Sequence, residues 1–219
     1  MQGDRMARID DYNQAFELGK KELFDKAPDL VAEYSGCEIE GDAAGKPKLI
    51  LDFLNRPVVI SWPDLDFRYR DSAEDLQIQQ KVLLVHYLSG AWASKGAPLT
   101  GKWIAYQEVP DGRFYLDAFL KRAKIPLLQG FGEHPELLEE LATRAFGAES
   151  SDHGDVSVVI RVLPLVPMVL LLWKGDEEFS PEGNILFDRN IPRLFSAEDI
   201  AWLAGMAVYP LIGMAKAKG

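Results

Sequence analysis

The chain has 219 residues, 47% of them hydrophobic and 11% aromatic, which is enough apolar material for one domain with a sizeable core. A formal net charge of -10 and a pI near 4.8 argue against nucleic-acid partners, which are held by Lys and Arg displacing counterions, and against anionic membrane surfaces. Cys37 is the only cysteine, so the chain by itself builds no disulfide, no iron-sulfur cluster and no Cys-type zinc site, and a reducing cytoplasm is the expected compartment.

The N-terminal stretch, Met1 to Asp11, mixes acids and arginines and lacks the apolar core of a secretory leader. Asp10 and Asp11 cap a helix that places Tyr12, Phe16 and Leu23 on one face, and Pro28 ends or restarts it. Lys48 to Phe53 and Val58 to Trp62 read as a hairpin about Leu54-Asn55-Arg56-Pro57, with Asp66 to Tyr69 as a third strand. Ser72, with Asp75 three residues on, opens an apolar helix through Leu88 that Gly90 or Gly96 stops.

Trp103-Ile104-Ala105-Tyr106 reads as a short strand in a loop-rich segment. Two helices follow, Tyr115 to Lys124 and Pro135 to Phe146, the second opened by proline and closed by Gly147. Val156 to Leu163 and Met168 to Trp173 carry the strongest strand signal, and Asn184 to Asp188 adds another. Ser196 then caps a final helix, Ala197 to Met214, which is apolar almost all round and therefore expected to be buried. The runs Val156–Trp173 and Ile200–Ala215 fall short of the roughly 20 uninterrupted apolar residues of a membrane span, so no membrane partner is expected.

Two stretches share one order of features. The first is strand, Arg56-Pro57, a strand ending in Trp62, Asp66-Phe67, then Ser72-Ala73-Glu74-Asp75-Leu76 into a helix. The second is strand, Val166-Pro167, a strand ending in Trp173, Asp176 and Phe179, then Ser196-Ala197-Glu198-Asp199-Ile200 into a helix. The tetrapeptide alone is a generic helix start, but the upstream match points to duplication. The expected fold is an α+β single domain over 1–219. Its one antiparallel sheet joins two β-β-β-α halves, repeat units about 48–90 and 156–214, with a helical insert about 113–147.

Candidate chemistry is thin. Asp176-Glu177-Glu178, at the end of an apolar strand, offers hard oxygen ligands for Mg or Ca, or two carboxyls close enough to separate their pKa values; the plainer reading is a solvated acidic turn. His86, His134 and His153 lack zinc-ligand spacing and read as structural, as a helix cap and as a loop residue. No Gly-x-Ser-x-Gly turn is present, Cys37 has no neighbouring base, and Gly130-Phe131-Gly132 is a weak phosphate cradle. Lys102, Trp103 and Glu108 sit in a loop that either covers a pocket or packs on the sheet. The candidate ligand-binding set is Lys102, Trp103, Glu108, Arg161, Trp173, Asp176, Glu178 and Phe179, with Asp176, Glu177 and Glu178 as weak metal candidates. Catalytic residues stay unassigned and no cofactor is expected.

Pro164-x-x-Pro167, Trp173-x-Gly175-Asp176-Glu177-Glu178-Phe179-x-Pro181, Leu186-Phe187-Asp188, His86-Tyr87-Leu88, Pro98-Leu99-Thr100-Gly101-x-Trp103 and Phe114-Tyr115 together resemble an uncharacterised bacterial and archaeal domain-of-unknown-function family, DUF3786. The resemblance covers most of the chain and supplies no catalytic residues. It implies a role around anaerobic redox or one-carbon metabolism, because some relatives are joined to an iron-sulfur domain like that of corrinoid proteins. With Cys37 alone, any cluster here would belong to an iron-sulfur or corrinoid-type partner. Two readings stand: a non-catalytic binding or accessory domain, or a metal-dependent or acid-base enzyme using Asp176–Glu178 and Asp188, with Lys102 or Arg161 holding an anionic substrate.

Overall fold

The alternating apolar runs do form antiparallel strands, and the protein is α+β, but the strands make two sheets rather than one. A computed structural model describes residues 2–41 and 44–218, and the chain divides into two units, Met1–Pro98 and Leu99–Gly219. Each of the two similar stretches keeps its strands within its own unit, so the expected joint sheet is corrected to a four-stranded and a five-stranded one.

The first unit runs α1 (Gln2–Leu23), α2 (Pro28–Ser35), β1 (Glu38–Gly41), β2 (Pro47–Phe53), β3 (Arg56–Ser61), β4 (Asp66–Tyr69) and α3 (Ile78–Ser94). Its strands pair in chain order. Leu54 and Asn55, both with positive φ, make the two-residue turn between the paired Phe53 and Arg56, a geometry that follows the twist of the strands. α1 begins before Asp10 and Asp11, which lie inside it; the strong helix formers Gln2, Arg5, Met6 and Ala7 extend the helix N-terminally past the expected caps. α1 lies close on α3, since a Cβ on Gly19 would come within 2.7 Å of Val85. The Tyr87 hydroxyl donates to the Ser35 carbonyl at 2.5 Å and ties α3 to the end of α2.

The second unit runs β5 (Trp103–Ala105), α4 (Leu116–Phe119), a π turn at Leu120–Lys124, α5 (Ile125–Phe131), α6 (Glu136–Phe146), β6 (Glu149–Ser150), β7 (Val156–Leu163), β8 (Val166–Trp173), β9 (Glu182–Asp188) and α7 (Ala197–Lys218). The sheet order is β5-β9-β8-β7-β6. The helix expected to stop at Lys124 continues through Pro126 to Phe131, with the π turn at Leu120–Lys124 loosening the hydrogen-bond ladder where the proline offers no amide. β8 is buried at every position but its last, on both faces. β5 and β6 are opposite edges, yet the Trp103 ring meets the His153 ring, from the loop after β6, edge-on at 6.3 Å. The sheet therefore curls until its two margins approach.

The two units share an order of elements longer than the sequence match. Pro28 opens α2 and Gly36 ends it at φ 68°; α6 follows Pro135 and ends at Gly147, φ 61°. One residue later each chain enters a four-strand meander, β1 to β4 or β6 to β9, and then a long helix. The helix start, which first suggested the match, differs. Ser196 and Asp199 cap α7 reciprocally, each side chain accepting from the other's amide at 3.2 Å. Ser72 accepts from the Glu74 amide at 3.3 Å without starting a helix, and α3 begins six residues on, where the Gln77 amide donates to the Gln80 side chain at 2.8 Å. Arg56 holds this corner instead: stacked on the Tyr69 ring at 3.6 Å, its guanidinium donates to Ser72 at 3.0 Å and to Glu74 at 2.9 Å. The matching position in the second unit is Val166.

α7 is long and apolar enough by composition to cross a membrane, while Ile200, Leu203, Ala207 and Leu211 are fully buried. The expectation that the whole helix is buried fails on its other face, where Tyr209 is 55% exposed. Both Gly36 and Gly147 occupy the left-handed region, so Gly36→Ala and Gly147→Ala should each destabilise the protein by about 1 kcal/mol. Urea unfolding of the two variants checks this.

Candidate functional site

β8 carries no polar side chain before Trp173, so chemistry is displaced to the loop that follows it. That loop is built by its own acids. The Asp155 carboxylate accepts from the Lys174 amide at 2.8 Å. Asp176 Oδ1 accepts from the amides of Glu178 and Phe179, both at 2.8 Å, and the Asp176 amide donates back to the Phe179 carbonyl at 2.9 Å. These two backbone donors hold the Asp176 carboxyl below its ordinary value of 3.8. Gly175 and Gly132 both close around Pro181: a Cβ on the first would lie 2.7 Å from its Cδ, and on the second 3.3 Å from its Cβ.

Against this loop stands the junction of α5 and α6. Together Lys174–Pro181 and Gly132, Glu133, Pro135 and Glu136 enclose an open cleft of about 740 Å³. Five carboxylates line it, from Glu133, Glu136, Asp176, Glu177 and Glu178, against the single cation Lys174. Glu136 lies 3.3 Å from His134 Nδ1. Phe179 lines the cleft while 69% exposed, and Trp173, 43% exposed, ends the strand beside it. The arrangement offers negative potential and an unburied aromatic ring, which suits a cationic or aromatic group rather than an anion.

Of the residues singled out in the sequence, the structure brings Asp176, Glu177, Glu178 and Phe179 to this cleft. Trp173 and Trp103 converge elsewhere, on the loop 151–155: Trp103 packs on His153, and the Trp173 indole nitrogen lies against Gly154, 3.3 Å from where a Cβ would stand. Lys102, Glu108 and Arg161 do not join them. The Lys102 carbonyl accepts from the Arg189 amide at 2.9 Å. Glu108 accepts from the Ala105 amide at 2.8 Å, capping the turn after β5. Arg161 donates to the Pro164 carbonyl at 3.3 Å within the β7–β8 hairpin. Lys102 thus lies just before β5 and Arg161 on β7, each in its own local contact.

Two of the carboxylates weighed for metal or acid-base chemistry, Asp176 and Asp188, accept from backbone amides. Among the described residues no three His, Cys, Asp or Glu side chains group as a metal-ligand set. Asp188 is 3% exposed and accepts from the amides of Thr100, Gly101 and Asn190 at 2.8, 2.9 and 2.9 Å, and from the Thr100 hydroxyl at 3.0 Å. It fastens the loop before β5 to the end of β9. Cys37 is partly buried, which pushes its thiol up to about 11 against the opposing donation from the Ser35 hydroxyl at 3.0 Å, so it is a poor nucleophile. Gly130 and Gly132, weighed as a phosphate cradle, sit at the close-packed end of α5.

Glu133 and Glu136, which no sequence signal marked, complete the cleft together with Gly132 and Pro181, which the sequence singled out for other reasons. Pro181 ends the motif that begins at Trp173, and its spacing from Gly175 was the available signal. A family model, that of a domain of unknown function (DUF3786), matches residues 27–209. No curated protein and no solved structure matches the chain.

Asp188→Asn leaves one acceptor oxygen for several donors, and should cost about 1–3 kcal/mol in urea unfolding while exposing the Thr100 and Gly101 amides to hydrogen exchange. For Asp176 the folded pKa lies below the unfolded one, so its support of the turn is complete above the ordinary carboxylate value and vanishes as pH falls through the depressed value. Exchange at the Phe179 amide, corrected for intrinsic rate, should stay flat from neutral pH down to that range and rise below it. Asp176→Ala should remove the protection at every pH.

Proposed function

Taking as premise that the chain belongs to the DUF3786 family, we propose that it is a non-catalytic binding or accessory module in anaerobic redox or one-carbon metabolism. Its recognition element is the Lys174–Pro181 loop with the cleft beside it. The observation that carries this reading is the use of the acids: Asp155, Asp176 and Asp188 are committed to backbone amides, whereas Phe179 and Trp173 are left exposed. A catalytic carboxylate needs free lone pairs directed at a substrate, while recognition needs a fixed loop shape and exposed aromatic surface.

The occupant that fits is a basic segment of a partner protein, since five carboxylates and one lysine line the cleft. The motif resemblance supports an iron-sulfur or corrinoid-type partner, which would supply the cluster that a chain with only Cys37 lacks. The shared order of elements in the two units supports descent from a duplicated helix, four-strand meander and helix.

Affinity capture under anaerobic conditions tests the reading. The wild-type chain should retain a protein with iron-sulfur or corrinoid absorbance, and Glu177→Lys/Glu178→Lys should retain about tenfold less or none. Equal retention, or none by the wild type, sinks the proposal. Calorimetry with Mg, Mn and Ca addresses the enzyme alternative: binding heat that disappears in Asp176→Asn/Glu178→Gln would favour it.

A further inference from the structure

A second surface of the Leu99–Gly219 unit combines features that a solvated face does not need. From Ile200 to Ala215 α7 carries no charged side chain, yet Trp202, Met206, Tyr209, Pro210 and Gly213, one stripe at helical spacing, are half-buried or exposed. Exposed helix faces are ordinarily charged. Pro210 has no amide hydrogen to give, so the carbonyl of Met206 on this stripe lacks its helical donor.

Beside the stripe, Arg122 stacks on Trp202 at 4.2 Å, and its Nη1 is buried without a hydrogen-bond partner. It forms no ion pair among the described residues, in a chain of net charge -10. Its position is specified by close packing: Arg122 lies in the π turn, and a Cβ on Gly205 would come within 2.9 Å of its carbonyl. π turns concentrate at functional sites, and an unpaired buried guanidinium nitrogen costs stability unless a ligand oxygen completes it.

α5 continues from this turn alongside α7 and closes on it again at Gly130, where a Cβ would meet Ile212 at 2.9 Å. There a hollow of about 570 Å³ opens over Leu137, Ile212 and Ala215, with His134 and Glu136 on its α6 side. On its rim stand Lys216, which forms no ion pair among the described residues, and Lys218, which is held by Glu140 at 2.6 Å. The rise of a helix puts Gly130 about 12 Å from Arg122, so an apolar strip lies between one free cation and another.

We propose that the groove along α5 and α7 docks a segment of a partner protein that is apolar with flanking carboxylates. Charge complementarity selects this occupant, because Arg122 and Lys216 are free at the two ends while nothing charged intervenes on α7. Trp, Tyr, Met and Arg are also the residues over-represented where protein partners bind tightly. The surface meets the acidic cleft at Glu136, which lines both hollows, but its α7 side carries the cations and calls for an occupant of opposite charge to that of the cleft.

Panning a phage-displayed library of random peptides on the full chain tests this. Enriched peptides should combine Asp or Glu with Leu, Ile, Phe or Met, and a synthetic copy should bind by fluorescence anisotropy, weakened at least about tenfold by Arg122→Glu/Lys216→Glu. Phe179→Ala should leave that binding unchanged, which separates this surface from the cleft. If Arg122→Glu misfolds, Met206→Ser/Tyr209→Ser carries the same comparison. No enrichment, enriched peptides without acids, or equal binding by the variants overturns the proposal. So does a concentration-dependent dimer in sedimentation that Tyr209→Ser abolishes, or uptake onto phosphatidylcholine vesicles that it abolishes, since the face would then belong to a second copy or to lipid.

Discussion

The burial of β8 on both faces constrains the rest of the second unit. A strand reading Val-Pro-Met-Val-Leu-Leu-Leu must be covered above and below, or several large side chains stay in water at about 1.5–3 kcal/mol each. The curl of the sheet covers one face by letting the inner side chains pack on each other, as the meeting of Trp103 with His153 across its margins requires. Helices contacting β7 and β9 cover the other. A strand so enclosed leaves no room for a polar group, and the first residue free to do anything is Trp173. The same constraint that secures the fold therefore decides where recognition takes place.

Asp188 shows the complementary device. A carboxylate at the end of β9, nearly removed from water, would be costly alone. Here it gathers three amides and a hydroxyl, and so turns a burial penalty into the anchor that lets β5 join the sheet edge. Asp176 and Asp155 do the same for exposed turns at smaller scale. An acid at a strand end in this chain is accordingly a builder of loops.

Much of the architecture was legible because side-chain periodicity is local. The hairpin at Leu54-Asn55, the strands at Asp66–Tyr69 and Val156–Leu163, and the glycine stop at Gly147 all follow from residues adjacent in sequence. What was not legible depended on competition between distant groups. Ser-Ala-Glu-Asp occurs twice and starts a helix once: in the first unit Arg56, sixteen residues upstream, binds Ser72 and Glu74, and in the second its counterpart is a valine. The two sheets could not be told from one because period-two patterning says which face is buried and nothing about which strand lies alongside. The cleft was half visible: one wall is the contiguous motif after Trp173, and the other comes from the far ends of α5 and α6, whose helical pattern explains them completely without it.

Charge distribution links these levels. In a chain with an excess of ten negative charges carboxylates are abundant partners for cations, although an exposed ion pair is at most mildly favourable. Lys218, Lys124 and Arg56 take such partners. Arg122 takes none among the described residues and is held by a π turn, a close-packed glycine and an indole face, with one nitrogen buried. A guanidinium fixed by packing rather than by a carboxylate of its own chain is preorganised for one that arrives from outside. The acidic cleft and the groove beside α7 then follow one rule: the exposed groups left over after the fold has satisfied itself, aromatic at the first and cationic with an apolar strip at the second, are those with which the molecule can recognise others.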